Sequence, residues 1–151
     1  MISLLIVDDH EVVRTGIGVL IATADGVVVV GEARDGLEAL DLAATLRPDV
    51  VLMDLEMPRM GGVEATRRLG ERAPDTRVVV LSAYSDDDLV LSAIEAGAVG
   101  YLLKDAHPDE VLRGIRAAAA GQSPLAPKAA RAIVAAHVAA HVAVQNPVNG
   151  R

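Results

Sequence analysis

The chain has 151 residues, with 14 basic against 21 acidic side chains for a net charge of −7. At 52% apolar and 23% charged it is a folding sequence and not a disordered one, and at this length a single domain can bury roughly 70% of its unfolded surface. Cysteine, tryptophan and phenylalanine are absent, which excludes disulfides and thiolate sites and leaves little for stacking on single-stranded nucleic acid.

The chain begins with a six-residue apolar run, Ile2–Val7, that ends on Asp8 and Asp9. It has neither the basic start nor the long apolar core of a signal peptide, and no run approaches the length of a membrane span. A cytoplasmic protein without membrane contact is expected. Four more β-branched runs follow, Val27–Gly31, Val50–Met53, Arg77–Leu81 and Val99–Leu103, with starts 25, 23, 27 and 22 residues apart. Between and after them Glu11–Ala22, Leu37–Leu46, Val63–Arg72, Asp87–Ala96 and Glu110–Ala120 carry helical spacing. Strands alternating with helices predict βαβ units and a parallel sheet. The nearly unbroken apolar character of the runs predicts strands covered on both faces.

Local punctuation agrees. Ser85 before Asp86, Asp87 and Asp88 predicts a capped helix start. Pro108 suits a first helical turn, with His107 as a cap, and Gly97 suits a left-handed stop. The composition then changes. Residues 1–120 hold 11 basic and 21 acidic side chains, whereas residues 121–151 have no acid and three bases, Lys128, Arg131 and Arg151. The chain therefore divides into a domain over 1–120, a linker over 121–127, a helix over 128–144 and a disordered tail over 145–151. Ile133, Val134, Val138 and Val142 form an apolar stripe on that helix, which needs a partner surface because short isolated helices are marginal.

In an open parallel sheet, ligands bind beyond the carboxyl ends of the strands. The residues leaving those ends are Asp8 and Asp9, Asp54, Ser82 and Lys104. Two unit charges about 4 Å apart repel by roughly 4 kcal/mol at an effective dielectric of 20, so three carboxylates on one rim need compensation. Proton sharing, Lys104 or a divalent cation can supply it, and oxygen ligands with open water positions suit Mg²⁺. Acids that only cap a helix or solvate a loop are the plainer account of any one position. Three acids at adjacent strand ends beside a lysine favour a site. A carboxylate beside Mg²⁺ can attack phosphorus to form an acyl phosphate, and Asp54 is the best nucleophile because the other two acids are paired.

The segments VDDH (7–10), MDLEMPRMGG (53–62), VVVLSAYSDD (78–87) and GAVGYLLKD (97–105) together resemble a response-regulator receiver domain over about residues 1–120. The resemblance implies a flavodoxin-like (βα)₅ fold, a doubly wound parallel five-stranded sheet with an added C-terminal linker helix. It implies phosphorylation of Asp54 by a sensor histidine kinase, with no enzymatic activity beyond self-phosphorylation from a phosphodonor and autodephosphorylation. By the same match Mg²⁺ is held by the side chains of Asp9 and Asp54, the Glu56 backbone carbonyl and Asp8 through water. Ser82 and Lys104 then hold the phosphoryl group, Tyr101 is the switch aromatic that turns inward as Ser82 moves, and Glu56 and Tyr84 tune phosphate lifetime. Asp105 follows Lys104 where many receivers have proline, so no cis peptide is expected there.

The KDA at 104–106 and the linker GQSPLAPKAARAI (121–133) resemble the NarL/LuxR-type branch. That branch implies a DNA-binding transcription regulator, DNA contact only through an output domain that this chain does not contain, and phosphorylation-enhanced homodimers. The acidic body by itself repels DNA phosphates. A stand-alone receiver acting through protein contacts is the alternative. A Mg²⁺-dependent phosphohydrolase with Glu56 as general acid is disfavoured, because the strand intervals leave only short loops, and the acid cluster disfavours a flavin carrier. His137 and His141 lie four apart and, without a third ligand, read as a solvated or interface pair. His10 is expected on the rim with no chemical role.

Overall fold

The computed structural model describes residues 1–145. In chain order it contains β1 (Ile2–Val7), α1 (Glu11–Ala22), β2 (Val27–Ala33), α2 (Gly36–Leu46), β3 (Val50–Met53), α3 (Gly62–Arg72), β4 (Arg77–Ser82), α4 (Asp87–Glu95), β5 (Gly100–Leu103), α5 (Pro108–Ala119) and α6 (Pro127–Gln145). The strands form one parallel sheet in the order β2-β1-β3-β4-β5. This is the flavodoxin-like order, with its topological switch point between β1 and β3.

Successive strand residues face opposite sides, and both sides are covered. Leu4, Ile6, Leu52 and Leu81 pack against Ile17 and Ile21 of α1 and Val111 and Ile115 of α5. Leu5, Val7 and Met53 turn the other way onto Ala39 and Leu40 of α2 and Ala65 and Leu69 of α3. Val80 and Tyr101 extend that second side under Val90 and Ala93 of α4.

The elements differ from the sequence reading mainly at their ends. β2 runs to Ala33 because a register shift opposite Leu4 and Leu5 leaves Glu32 and Ala33 still paired with Ile6 and Val7. β4 reaches Ser82, β5 starts at Gly100, and α5 starts at Pro108. The residue that caps α4 is Asp86 and not Ser85, and no side chain bonds the free amides there. The His107 ring accepts from Asp109 N at 3.1 Å, and Gly97 takes φ +115 just beyond α4. No peptide bond among the described residues is cis.

The segment after α5 does more than connect. Tyr101 N donates to the Pro124 carbonyl at 2.9 Å and Ala126 N donates to the Tyr101 carbonyl at 2.8 Å, a parallel bridge that closes the open edge of β5. Gly100 makes room for it, since a Cβ there would lie 2.6 Å from the Pro124 carbonyl oxygen. α6 then lies on α4, with Ala129 and Ala132 buried and Ile133 partly so. The predicted stripe is thus corrected: Ile133 turns inward, but Val134, Val138 and Val142 are exposed. Alanine, having only a Cβ, lets the two helices approach closely, so the packing face is the small-residue one. α6 includes Gln145, and the expected tail from 146 onwards lies outside the described residues.

Candidate functional site

All five strands point the same way, so their carboxyl ends share one rim. Asp8 N donates to the Ala33 carbonyl at 3.0 Å and Asp54 N to the Val7 carbonyl at 2.9 Å, so each acid still rides on the strand ladder. Asp8 is 2% exposed and Asp54 6%, whereas Asp9 is exposed. One ligand atom from each of Asp8, Asp9, His10 and Asp54 lies within 4.8 Å of the others, the only such group of three or more among the described residues. The oxygens of three carboxylates are a donor set that suits a hard divalent cation.

Lys104 arrives from the end of β5, its amide donating to the Ser82 carbonyl at 2.8 Å. Its Nζ lies 2.7 Å from Asp8 Oδ2 and 3.2 Å from Asp54 Oδ1. Burial pulls the lysine pKa down, but the two carboxylates more than offset this and hold it above the ordinary value. Asp54 is moved the opposite way from a comfortable acid. Burial raises its pKa first and the Asp8 charge adds to that, against the opposing pull of Lys104 and of Leu55 N, which donates to Asp54 Oδ1 at 2.9 Å. In these surroundings Lys104 keeps its charge, and the Asp54 carboxylate is poised to gain from any further cation.

His10 had no role in the sequence reading, yet it belongs to the cluster. Its backbone N–H donates to Asp8 Oδ1 at 2.9 Å, and its Nδ1 lies 3.0 Å from Asp8 Oδ1 and 3.1 Å from Asp9 Oδ1. Adjacency to two acids was the only signal in the sequence, and it does not fix where an imidazole turns.

Ser82 is buried at the end of β4, and its Oγ accepts from Tyr84 N at 3.1 Å. The Tyr84 carbonyl in turn accepts from the Tyr101 hydroxyl at 2.6 Å. Tyr101 is 0% exposed, so it stands turned inward already with Ser82 bonded to Tyr84 N, where the sequence places that turn after Ser82 moves, and burial raises its phenol pKa. A hydrogen-bonded path therefore runs from Ser82 through Tyr84 to Tyr101, whose backbone carries the bridge that precedes α6. Glu56 and the exposed Tyr84 line a shallow hollow with Asp86, Asp88, Leu89 and Ser92, and the Glu56 carboxylate stands outside the acid cluster. His137 and His141 are exposed one turn apart on α6.

Gly62 sets how closely α3 approaches the site. Its N–H donates to the Leu55 carbonyl at 2.9 Å, and any Cβ there would collide with the Asp54 backbone carbonyl. Because backbone and not a flexible side chain blocks that space, Gly62→Ala is expected to lower unfolding stability by about 3 kcal/mol. A urea titration showing a loss below about 1 kcal/mol would mean that the loop yields easily.

Residues 4–116 match the family model described as the response regulator receiver domain. The chain is 46% identical over 131 residues to the response regulator GacA of Pseudomonas aeruginosa, which covers 87% of this chain and 61% of the relative. It is 45% identical over 130 residues to the transcriptional regulatory protein LiaR of Bacillus subtilis, covering 86% and 62%. The chain thus spans about three-fifths of the length of these relatives. Among solved structures, a LuxR-family two-component response regulator from Aurantimonas superposes with a TM-score of 0.85 at 37% identity, covering 91% of this chain and 99% of that one. No helix among the described residues is long and apolar enough to cross a membrane. With its sheet order, its acid-and-lysine rim and these relatives in agreement, the chain belongs to the response-regulator receiver domain family, in the branch of NarL/LuxR-type regulators.

Proposed function

We propose that Asp54 accepts a phosphoryl group from a sensor histidine kinase in a Mg²⁺-dependent step. The observation that carries this reading is the buried Asp54 carboxylate, held 3.2 Å from the Lys104 ammonium inside a cluster of three acids at the strand ends. Asp9 and Asp54 through their side chains, the Glu56 carbonyl, and Asp8 through water would hold the ion. When bound, Mg²⁺ supplies positive charge to the oxygens of the transferring phosphoryl group.

The protein's own groups do the rest. An Asp54 carboxylate oxygen forms the bond to phosphorus as the bond to the kinase's histidine nitrogen breaks. Lys104 already bridges Asp8 and Asp54 and needs only a small shift to pair with a phosphoryl oxygen. Ser82 turns its hydroxyl towards the same group, which disturbs the hydrogen bond it accepts from Tyr84 and, through Tyr84, the seat of Tyr101. A local charge change thereby biases a two-state element. Glu56 and Tyr84, at the mouth of the site, tune how long the phosphate survives.

The protein as a whole is proposed to be a cytoplasmic transcription regulator. It would meet DNA through an output domain outside residues 1–145 and form homodimers more readily when phosphorylated. The names of its relatives support this, and so does the −10 charge balance over residues 1–120, which disfavours DNA contact by this body. The deciding experiment is intact mass after incubation with acetyl phosphate. One added phosphoryl group that forms with Mg²⁺ and does not form when EDTA is present from the start is the expected result. Many turnovers of donor with no lasting adduct would point to a phosphohydrolase instead.

A further inference from the structure

The loop between β3 and α3, residues 54–61, carries Asp54 and Glu56 near its start and Arg59 at its far turn. Among the described residues its interior, 56–60, has two polar anchors on the rest of the body. The Met60 carbonyl accepts from Gly36 N at 2.9 Å. The Arg59 guanidinium grips Asp35 Oδ2 through Nε at 2.8 Å and also through Nη2. Asp35 is buried at the N-cap of α2, where its other oxygen accepts from Glu38 N at 2.9 Å. That N–H holds the carboxyl below its usual range against burial, and Arg59 adds to it.

Two features show that this contact is built and not incidental. Arg59 takes φ +65, a left-handed conformation that side chains rarely adopt. Gly36 leaves no space at all, since a Cβ there would lie 2.7 to 2.9 Å from Met60 atoms. The start of α2 and the tip of the loop are pressed together, and the ion pair closes over the joint.

We propose that the Asp35–Arg59 pair is a positioning clamp, which fixes the β3–α3 loop so that the Glu56 carbonyl and the Asp54 carboxylate are presented together to a divalent cation. The inference rests on the reading of the acidic site given above. A loop tip freed from α2 gains conformations that cation binding must then remove, so the clamp acts on affinity without touching the ion. Neither residue is a ligand, and neither belongs to the four-residue cluster.

Two substitutions separate the clamp from the local structure around it. Asp35→Asn keeps a cap acceptor for α2 while removing the charge. Arg59→Gly removes the guanidinium and relieves the left-handed backbone. The Mg²⁺ dissociation constant of the full chain is measured by calorimetric titration, with thermal unfolding in the absence of divalent ions recorded beside it. The expected result is a dissociation constant raised roughly three- to tenfold in each variant, no further rise in the double variant, and partial rescue in Arg59→Lys. A constant unchanged within twofold in both variants overturns the clamp, whatever happens to the unfolding temperature. Should the wild type itself fail to bind Mg²⁺ in the same titration, the acidic-site reading falls, and the clamp falls with it. If Asp35→Asn does not fold, Arg59→Gly decides the question alone, because Arg59 is largely exposed.

Discussion

Asp54→Asn is expected to take up no phosphoryl group from acetyl phosphate, where the wild type is expected to gain one, and to unfold at a higher temperature at neutral pH. Both outcomes follow from one feature, the burial of a carboxylate next to Asp8. The first is a matter of chemistry, since an amide is not a nucleophile towards phosphorus at this site. The second is a matter of linkage. Asp54 has its pKa raised above the ordinary 3.8 in the folded chain, so its stabilising share is present below 3.8 and is lost as pH rises through the folded value. Above that value the folded protein must carry the charge against burial and Asp8, and the pull of Lys104 does not cancel them. Asparagine has no such charge to carry. The difference in unfolding temperature between variant and wild type, measured from pH 4 to pH 8 without divalent ions, opens with rising pH and then levels off. A gap that is flat across this range, or a wild type more stable at pH 8, would contradict the account. Stability surrendered at a reactive site is the general pattern expected of functional residues.

Tyr101→Ala is expected to cost about 3 to 5 kcal/mol of stability, the range for removing a large buried aromatic. For a chain of this size that lowers the unfolding temperature by roughly 10 °C. Tyr101 is fully buried where β4, α4 and α6 meet, among Val80, Val90, Ala93, Ala129 and Ala132. Most of those neighbours are small, so they have little reach to fill the cavity. Tyr101→Phe keeps the ring and loses the hydroxyl's hydrogen bonding, to the Tyr84 carbonyl and with Ser82, about 1 kcal/mol. The alanine variant should also loosen α6 ahead of the rest of the protein. Its amides over residues 128–145 are expected to lose more protection than those of α2, which packs on a separate cluster and follows only the fall in global stability. Uniform exchange across both helices would show that α6 is held by its backbone bridge and not by the tyrosine.

Much of the site is legible in the sequence. Asp8, Asp9, Asp54, Ser82 and Lys104 each stand within two residues of the end of an apolar run, and parallel strands must bring such ends to one rim. His10 was missed because its part depends on the direction of a ring, which no spacing encodes. Arg59 was missed for a related reason. Its partner Asp35 lies 24 positions away, at the start of a different helix, and a lone arginine in a loop carries no pattern. The capping of α4 was misplaced by one residue because Ser85 and Asp86 are both good cap types, and only backbone dihedrals choose between them.

The sequence by itself determined the βα alternation, the parallel sheet and the acid-and-lysine rim, because strand period and strand polarity are local properties that repeat along the chain. Only the tertiary structure decided which face of α6 is inside. An alanine-rich helix with a valine stripe offers two candidate faces, and hydrophobicity alone favours the valines. The contact with α4 instead selects Ala129 and Ala132, because close packing between helices rewards a fit in shape as well as apolar area. The closing of β5 by residues 124–126 was decided in the same way. It depends on a glycine at 100 lying beside a proline at 124, two positions whose meeting exists only once the chain has folded.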